Sequence, residues 1–311
     1  MIHAGAMLVA MGADAAWGWP DRIHARIGHP VTWIGRLIAA LDRRWNRGTP
    51  EQRRSAGLAC AVVVVLAAAL PAALLQSMLP GGPVGAVLTG LLAWPLVAMR
   101  SMHEHVAAVE APLAAGDLPA ARRAVSMIVG RDPSQLDTAG VTRAALESLA
   151  ENSSDGIVAP LFWGALFGLP GIAAYKAINT LDSMIGHRTP RHEDFGRASA
   201  LTDDVVNLIP ARLTGGLFAL VSGRPREALS VMRRDARAHR SPNAGWPEAA
   251  LAGALGVRLS GPRVYGDRVS AEPWLNAGAP DPSPADLRQG LGLYRRAMAL
   301  LAAGLALIML I

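Results

Sequence analysis

The sequence predicts an all-α, polytopic helical membrane protein with a broken or re-entrant helix and helical polar segments, built as one domain over residues 1–311. Of its 311 residues 51% are hydrophobic and 17% are charged, whereas a soluble domain carries about a quarter charged residues. No charged side chain occurs from Ser55 to Met99 or from Gly156 to Tyr175. Each run reaches the length of about 20 residues that a helix needs to cross a bilayer.

The charge balance narrows the classes of partner. The net charge is +6, and arginine supplies nearly all of the 30 basic residues because Lys176 is the sole lysine. Such an excess suits a membrane surface or an anionic substrate. The arginines are not interleaved with aromatic residues, so we expect a lipid bilayer and no nucleic acid as partner. The single cysteine, Cys60, excludes an internal disulfide and a cysteine-based zinc site.

The first membrane elements lie in the N-terminal third of the chain. The run from Met1 to Ala13 lacks the basic start and the cleavage pattern of a signal peptide, so it predicts a retained membrane segment. A transmembrane hairpin is predicted over about 55–102, with its turn at 80–83. Arginines crowd residues 20–54, and the positive-inside rule therefore places that segment in the cytoplasm and the turn on the opposite side.

The second charge-free run, 156–175, is interrupted by prolines and glycines and has basic flanks on both sides. This pattern predicts a re-entrant or broken helix, which membranes tolerate where protein or a polar cavity covers the backbone. Two further apolar stretches follow, 205–221 and 297–311. The first of them contains Pro210 and Arg212.

The remaining chain has a helical pattern. An amphipathic helix is predicted to open at Pro119 after Asp117, and a second is predicted over 142–152. The stretch 260–284 is rich in Gly, Pro, Ser and Asp and is typical of a loop. No segment alternates as a strand would.

Polar blocks between about 129 and 245 are where chemistry is expected. In the first block, Glu147 and Glu151 share a helical face, and Asp155 follows at the start of the broken segment. Converging carboxylates beside Asn152 suit Mg²⁺, which commonly takes one or two carboxylates plus substrate phosphate. The alternative is a helix end capped by Asn152 or Asp155.

The second block contains Lys176, Asn179, Asp182 and Arg188. Placing a charged lysine at the edge of an apolar run costs solvation free energy, which favours a functional role for Lys176. Lysine is also a usual partner for phosphate. Asp182 suits a metal ion or a substrate amine.

The third block contains Asp203, Asp204, Asn207 and Arg212. Paired aspartates suit a metal ion, and arginine binds carboxylate or phosphate through two parallel hydrogen bonds. A helix N-terminus that favours acids explains Asp203 and Asp204 equally well, but not Arg212 inside an apolar stretch. The chain has no Walker A loop, Rossmann glycine fingerprint or HExxH motif.

These blocks resemble those of the CobD/CbiB family of cobalamin biosynthesis, in the family's order. The matching segments are His29-Pro-Val-Thr-Trp-Ile-Gly35, Val129-Gly-Arg-Asp132, Glu147-Ser-Leu-Ala-Glu-Asn-Ser-Ser-Asp-Gly156, Lys176-Ala-Ile-Asn-Thr-Leu-Asp-Ser-Met184, Asp203-Asp-Val-Val-Asn-Leu-Ile-Pro-Ala-Arg212 and Ser241-Pro-Asn-Ala-Gly245. The resemblance implies a multi-pass inner-membrane enzyme, the adenosylcobinamide-phosphate synthase. It implies ATP-dependent joining of aminopropanol, or its O-phosphate, to the ring D propionate of adenosylcobyric acid, and association with other late cobalamin-pathway membrane enzymes.

The residue types suit this reaction, and we assign roles as a hypothesis from the residues alone. Catalytic roles are predicted for Glu147, Glu151, Asp155, Lys176 and Asp182. Substrate binding is predicted for Arg131, Asn152, Asn179, Arg188, Asn207, Arg212 and Asn243. Metal binding is predicted for Glu151, Asp155, Asp203 and Asp204, with Mg²⁺ as the metal and ATP as co-substrate.

Two other classes of function fit parts of the pattern. A Mg²⁺-dependent intramembrane transferase acting on a lipid diphosphate would also use paired acids, but the chain lacks two repeated Asp-x-x-x-Asp clusters on separate spans. A non-enzymatic transporter component would also be hydrophobic and basic. It would have little use for so many acid and amide side chains around the broken segment.

Overall fold

The computed structural model describes residues 2–130, 132–265, 268–270 and 272–310, and these residues are overwhelmingly helical. The helices are α1 Ile2–Trp17, α2 Asp21–Ile27, α3 Pro30–Trp45, α4 Pro50–Met78, α5 Gly82–Ala93, α6 Met99–Ala114, α7 Leu118–Val125, α8 Thr138–Ser153, α9 Ala159–Ile185, α10 Arg197–Val206, α11 Leu208–Val221, α12 Pro225–Asp235, α13 Gly245–Leu255 and α14 Pro284–Leu310. Four short strands are β1 Leu259–Ser260, β2 Arg263–Tyr265, β3 Arg268–Ser270 and β4 Trp274–Leu275. A π-helical turn, Ser154–Val158, joins α8 to α9.

The membrane class predicted from the sequence is confirmed. Among the described residues, 4 helical segments are long and apolar enough to cross a membrane: α4, Gly82–Ala114, Thr138–Ile185 and α14. The count rises to 5 if the bent pair formed by α10 and α11 is one span. On α4 the side chains of Leu58, Leu70 and Leu74 are exposed, as a lipid-facing surface requires. With 16 residues, α1 is shorter than a simple span, so the predicted N-terminal membrane segment stays a prediction.

The chain divides into two compact units made of alternating segments. Unit 1 contains Met1–Ala98, Ala159–Asn207 and Gly304–Ile311. Unit 2 contains Met99–Val158 and Leu208–Ala303. The prediction of one domain stays a prediction.

In unit 1, α4 packs along α9, and α5 packs mainly on α1. Helices α4 and α5 follow one another through the predicted turn, but each rests chiefly on a different neighbour. A glycine permits one close approach, because a Cβ at Gly57 would overlap the Phe195 carbonyl. The core beneath α4 consists of Ile38, Cys60, Ala61, Val64, Ala177, Leu181, Ile185 and Phe195.

The predicted break in the second charge-free run lies at Gly168 within α9. Its backbone has φ 70° and ψ −149°, a region that only glycine adopts readily. The break leaves the Leu169 amide without a helical acceptor, and the Gln76 side chain at the end of α4 accepts that N–H at 2.6 Å. Pro170 comes next and has no N–H to satisfy. The broken helix is therefore closed by a side chain, as apolar surroundings demand.

In unit 2, α12 and α11 both pack on α13. The expectation of a loop over 260–284 is correct for 276–283, but short strands interrupt the first part of the range. This region forms two antiparallel two-stranded sheets, β1 with β4 and β2 with β3. The guanidinium groups of Arg143 and Arg258 lie 4.7 and 4.3 Å from the Trp274 ring, and such contacts order a segment of turn-like composition.

Both predicted amphipathic helices are present. The first, α7, begins after Asp117, whose carboxylate accepts the Ala120 amide at 3.0 Å. The second, α8, begins four residues earlier than predicted, at Thr138, because Asp137 caps it by accepting the Gly140 amide at 2.7 Å.

Candidate functional site

A buried chain of hydrogen bonds joins α9 to the end of α10 in unit 1. The Tyr175 hydroxyl donates to Asn207 Oδ1 at 2.9 Å, and Asn207 Nδ2 donates to Asp203 Oδ2 at 2.9 Å. Tyr175 is 2% exposed, Asn207 1% and Asp203 8%. The network therefore holds one carboxylate in a fixed orientation inside the helical unit.

Local sequence explains why these groups meet. Asp203 and Asn207 are four residues apart, so they lie on one face of α10 and its C-terminal residue. Helix α10 can start close to α9 because Gly196 lies against the Ile185 carbonyl, where a Cβ would overlap. From helical spacing either Asp203 or Asp204 could share a face with Asn207, and the structure shows that Asp203 does. The sequence gave no sign that Tyr175 completes the network.

The second oxygen of this carboxylate, Asp203 Oδ1, is buried and has no hydrogen-bond partner among the residues the structure describes. Asn179 interacts with the same carboxylate, and Asp182 is near enough to repel it electrostatically. Burying a carboxyl oxygen without a partner is costly, and native proteins seldom do so without a ligand or a functional reason. Asp203 Oδ1 is therefore the strongest pointer to a ligand in unit 1.

Two further acids, Asp182 and Asp204, lie near the Asp203 carboxylate, and each interacts with a basic side chain. Asp182 is half-buried and feels the charge of His187, while Asp204 is half-buried and feels that of Arg188. The structure thus brings Asn179, Asp182, Asp203 and Asn207 together, and it pairs Asp204 electrostatically with Arg188.

Lys176, also half-buried, lies near His29, a residue that our site prediction omitted. Burial lowers the pKa of His29 below its ordinary value, and the charges of Lys176 and His24 lower it further. His29 Nδ1 accepts the Val31 amide at 3.2 Å and so caps α3. The sequence did contain a signal for His29, because this residue is the first of the segment 29–35 that resembles the family.

The predicted site residues of unit 2 occupy different environments. Glu147 is buried, and its Oε1 accepts the Ser260 amide of β1 at 2.7 Å. Asn152 is half-buried and donates to the Ser148 carbonyl one turn back at 2.9 Å. Glu151 is exposed, and Asp155 is half-buried in the π-helical turn. Their predicted catalytic and metal-binding roles stay predictions.

The two remaining described residues of the prediction also belong to unit 2. Arg212 stacks on the Trp246 ring at 4.2 Å and donates to the Leu208 carbonyl at 2.6 Å. Asn243 is buried, and its backbone N–H donates to Ser241 Oγ at 3.3 Å, in the turn before α13. Arg131 lies outside the described residues.

Unit 2 also contains a buried ionisable pair that our prediction missed. His239 Nε2 lies 3.7 Å from Glu248 Oε2, and the two residues are 9% and 1% exposed. His239 Nδ1 accepts the Ser241 amide at 3.1 Å. The nearby Ser241–Gly245 segment was the available signal, because polar residues flank it on both sides.

Within the part of the chain that the structure describes, no three or more His, Cys, Asp or Glu side chains form a group that could hold a metal ion. Mg²⁺ does not require such a group, since it usually binds one or two carboxylates with substrate phosphate and water. Asp182, Asp203 and Asp204 interact electrostatically, so this cluster can offer one or two carboxylates to a cation.

Comparisons with known proteins place the chain in a family. The family model described as CobD/Cbib protein matches residues 7–294. "Cobalamin biosynthesis protein CobD" of Rhodobacter capsulatus is 68% identical over 300 residues, covering 96% of this chain and 95% of the relative. The protein of the same name from Brucella suis is 48% identical over 303 residues, covering 94% and 93%. No solved structure matches. The chain belongs to the CobD/CbiB family.

Proposed function

We propose that this chain is the enzyme of cobalamin biosynthesis that joins aminopropanol, or its O-phosphate, to the ring D propionate of adenosylcobyric acid at the expense of ATP. Family membership and the relatives' name support the cobalamin pathway. The single structural observation behind an enzymatic role is the buried Asp203 carboxylate with one unpartnered oxygen. We further propose a multi-pass location in the inner membrane, and association with other late enzymes of the pathway.

The reaction needs activation because a carboxylate is a poor acyl donor. In the proposed path a propionate oxygen attacks the γ-phosphorus of ATP, the bond to the β-phosphate oxygen breaks, and ADP leaves. The amine nitrogen then attacks the acyl carbon. The C–O bond to phosphate breaks, inorganic phosphate leaves, and the nitrogen loses protons.

Asp203 suits the amine step. Amines are protonated at neutral pH and must lose a proton before they attack a carbonyl carbon. Asp203 Oδ1 has room for one more hydrogen bond, while Asn207 holds the opposite oxygen and Tyr175 holds Asn207. We assign Asp203 to binding and orienting the ammonium and to accepting its proton.

Cations suit the phosphate steps. We assign phosphate binding to Lys176 and Arg188, since fixed positive charge stabilises the oxyanions that develop during phosphoryl and acyl transfer. Mg²⁺ would be held by Asp182 and Asp204 together with phosphate oxygens, which leaves Asp203 to the amine. A Mg²⁺ ion bound there would neutralise part of the negative charge of the phosphates.

A reconstitution assay tests the proposal. The full chain in lipid nanodiscs is incubated with adenosylcobyric acid, MgATP, and either aminopropanol or aminopropanol O-phosphate, and the corrinoids are analysed by mass spectrometry. We expect a new corrinoid whose mass equals that of the two joined substrates less one water, only when ATP is present. Folded protein that yields no such corrinoid with either amine would refute the proposal.

A further inference from the structure

A cleft of about 600 Å³ in unit 2 lies outside all the residues discussed so far as site candidates. One wall is formed by side chains of α12 and the residue before it, including Arg224, Arg226 and Arg234. Asn276 and Gly278 also line the cleft. Its volume lies within the range of about 300–1,000 Å³ that small-molecule sites occupy.

The charge of the cleft is positive. Arg234 forms two hydrogen bonds with the Asp235 carboxylate, at 2.6 and 2.8 Å, so its charge is neutralised. Arg224 and Arg226 form no ion pair with any described residue. The acid Glu227 also lines the cleft and offsets one positive charge. Two guanidinium groups are therefore available to an anion, against one carboxylate.

Backbone groups support the same ligand. Helix α12 begins after Arg224 with Pro225 at its first position, and no side chain caps it. The amides of Arg226 and Glu227 thus lack helical acceptors, and the positive end of the helix dipole lies at this wall. Gly256, which has φ 73°, leaves room for the Arg224 guanidinium, whose Nη1 lies 2.8 Å from where a Cβ would be.

The packing of α12 distinguishes a soluble ligand from a lipid surface. An interfacial helix must offer an apolar face to the membrane. On α12 that face is covered, because Ala228, Val231 and Met232 are buried and the helix packs on α13. The close packing requires Gly253, where a Cβ would lie 2.8 Å from Ala228 Cα. Helix α12 therefore exposes its arginine side and keeps no apolar side for lipid.

We propose that this arginine cleft binds a soluble small molecule that carries phosphate groups. Guanidinium groups match phosphate oxygens with paired hydrogen bonds, and Gly278, whose Cβ position is open, lets the ligand approach the backbone. The inference does not depend on the proposed reaction, because it concerns binding by residues that have no part in that site.

Binding of inorganic pyrophosphate and inorganic phosphate, measured by calorimetry on the full chain in uncharged detergent, tests the proposal. The test variant is the double substitution Arg224→Gln with Arg226→Gln. The matched control is Arg233→Gln, an exposed arginine of the same helix that does not line the cleft. We expect saturable binding, tighter for pyrophosphate, that weakens roughly tenfold for each lining arginine removed, about 100-fold in the double variant, and changes less than about twofold in the control.

Four results would overturn the proposal. Three are the absence of saturable binding, an equal loss in the control, and pyrophosphate affinity that survives when the double variant also carries Lys176→Gln and Arg188→Gln, which remove the cations assigned to phosphate at the proposed active site. A lipid origin is tested in nanodiscs with and without phosphatidylglycerol: if anionic lipid abolishes pyrophosphate binding by occupying the cleft, the ligand is a headgroup and the soluble assignment fails. If the double variant does not fold, Arg224→Lys with Arg226→Lys keeps the charge but loses the paired geometry, and we expect a loss between those of the control and the double variant.

Discussion

At the scale of single residues, Asp203 offers one carboxylate oxygen to Asn207 and keeps the other open. Asp203→Asn preserves the shape of the side chain and an oxygen for Asn207, but removes the charge and the proton acceptor. We expect roughly a 10²- to 10⁴-fold loss of corrinoid amidation, the usual contribution of a general base. The measurement is steady-state kinetics in nanodiscs. Glu193→Gln, which neutralises an exposed acid of the same unit, should retain activity; an active Asp203→Asn enzyme would remove Asp203 from the mechanism.

A second prediction at this scale concerns stability and pH. Burial opposes ionisation of Asp42, but hydrogen bonds from Arg191, at 2.6 Å, and from Asn46 more than offset it, so the pKa of this carboxyl is below its ordinary value. An acid with a lowered pKa stabilises the folded state above its ordinary pKa of about 4, and this contribution is lost as the pH falls through the folded-state pKa.

Asp42→Asn should therefore lower the free energy of unfolding by about 1 kcal/mol at pH 7. Because protonation removes the same interaction, the difference from wild type should shrink below pH about 4. Thermal unfolding in detergent at a series of pH values measures this. A difference that stays constant down to pH 3 would contradict the assigned ion pair.

The sequence predicts which side chains contact one another only where the two residues are close along the chain. Asp203 and Asn207 are four residues apart, and helical periodicity alone puts them on one face. Tyr175 reaches Asn207 from another helix, and Ser260 reaches Glu147 across 113 positions of the chain, so no spacing rule reveals either contact. The same limit hid the His239 and Glu248 pair.

At the scale of elements, the break in α9 is closed by Gln76. Gly168→Ala would place a Cβ on the Gln76 side chain and force alanine into a region that glycine alone adopts readily. We expect a loss of about 1–3 kcal/mol in the free energy of unfolding. Thermal unfolding in detergent measures it, with Gly216→Ala as the control because its Cβ position is open.

Gln76→Leu separates the two causes. It removes the acceptor of the Leu169 amide without changing the backbone at Gly168, and leaving a buried donor unsatisfied costs about 1–3 kcal/mol. If Gly168→Ala is as stable as wild type, the break is not held as described. The sequence predicted that this helix is broken, since prolines and glycines interrupt it. It could not predict the residue from α4 that completes it.

The start of a helix can be predicted from the sequence where side chains cap it. Thr49 and Gln52 form a reciprocal cap that starts α4 five residues before the charge-free run begins. The strands between 259 and 275 were missed because each has only two or three residues. Strands so short show no alternation, and the Trp274 ring that orders them contacts Arg258 beside β1 and Arg143, which is distant in sequence.

At the scale of the whole molecule, the arrangement of charge along the chain sets its orientation in the membrane. The arginines between 20 and 54 should keep that segment in the cytoplasm, and α4 should carry the turn at Gly82 to the opposite side. A reporter active only outside the cytoplasm, inserted at Gly82, should be active, while one inserted at Gly48 should be silent. The reverse pattern of reporter activity would contradict the predicted topology.

The proposed chemistry is tested most directly with adenosylcobyric acid carrying ¹⁸O in its ring D carboxylate. The full chain in nanodiscs is supplied with this substrate, aminopropanol O-phosphate and unlabelled MgATP, and the released inorganic phosphate is analysed by mass spectrometry. Because the acyl phosphate breaks at its C–O bond, we expect one ¹⁸O atom in each phosphate and one retained in the amide. Amide product accompanied by unlabelled phosphate, or by label in AMP, would contradict it.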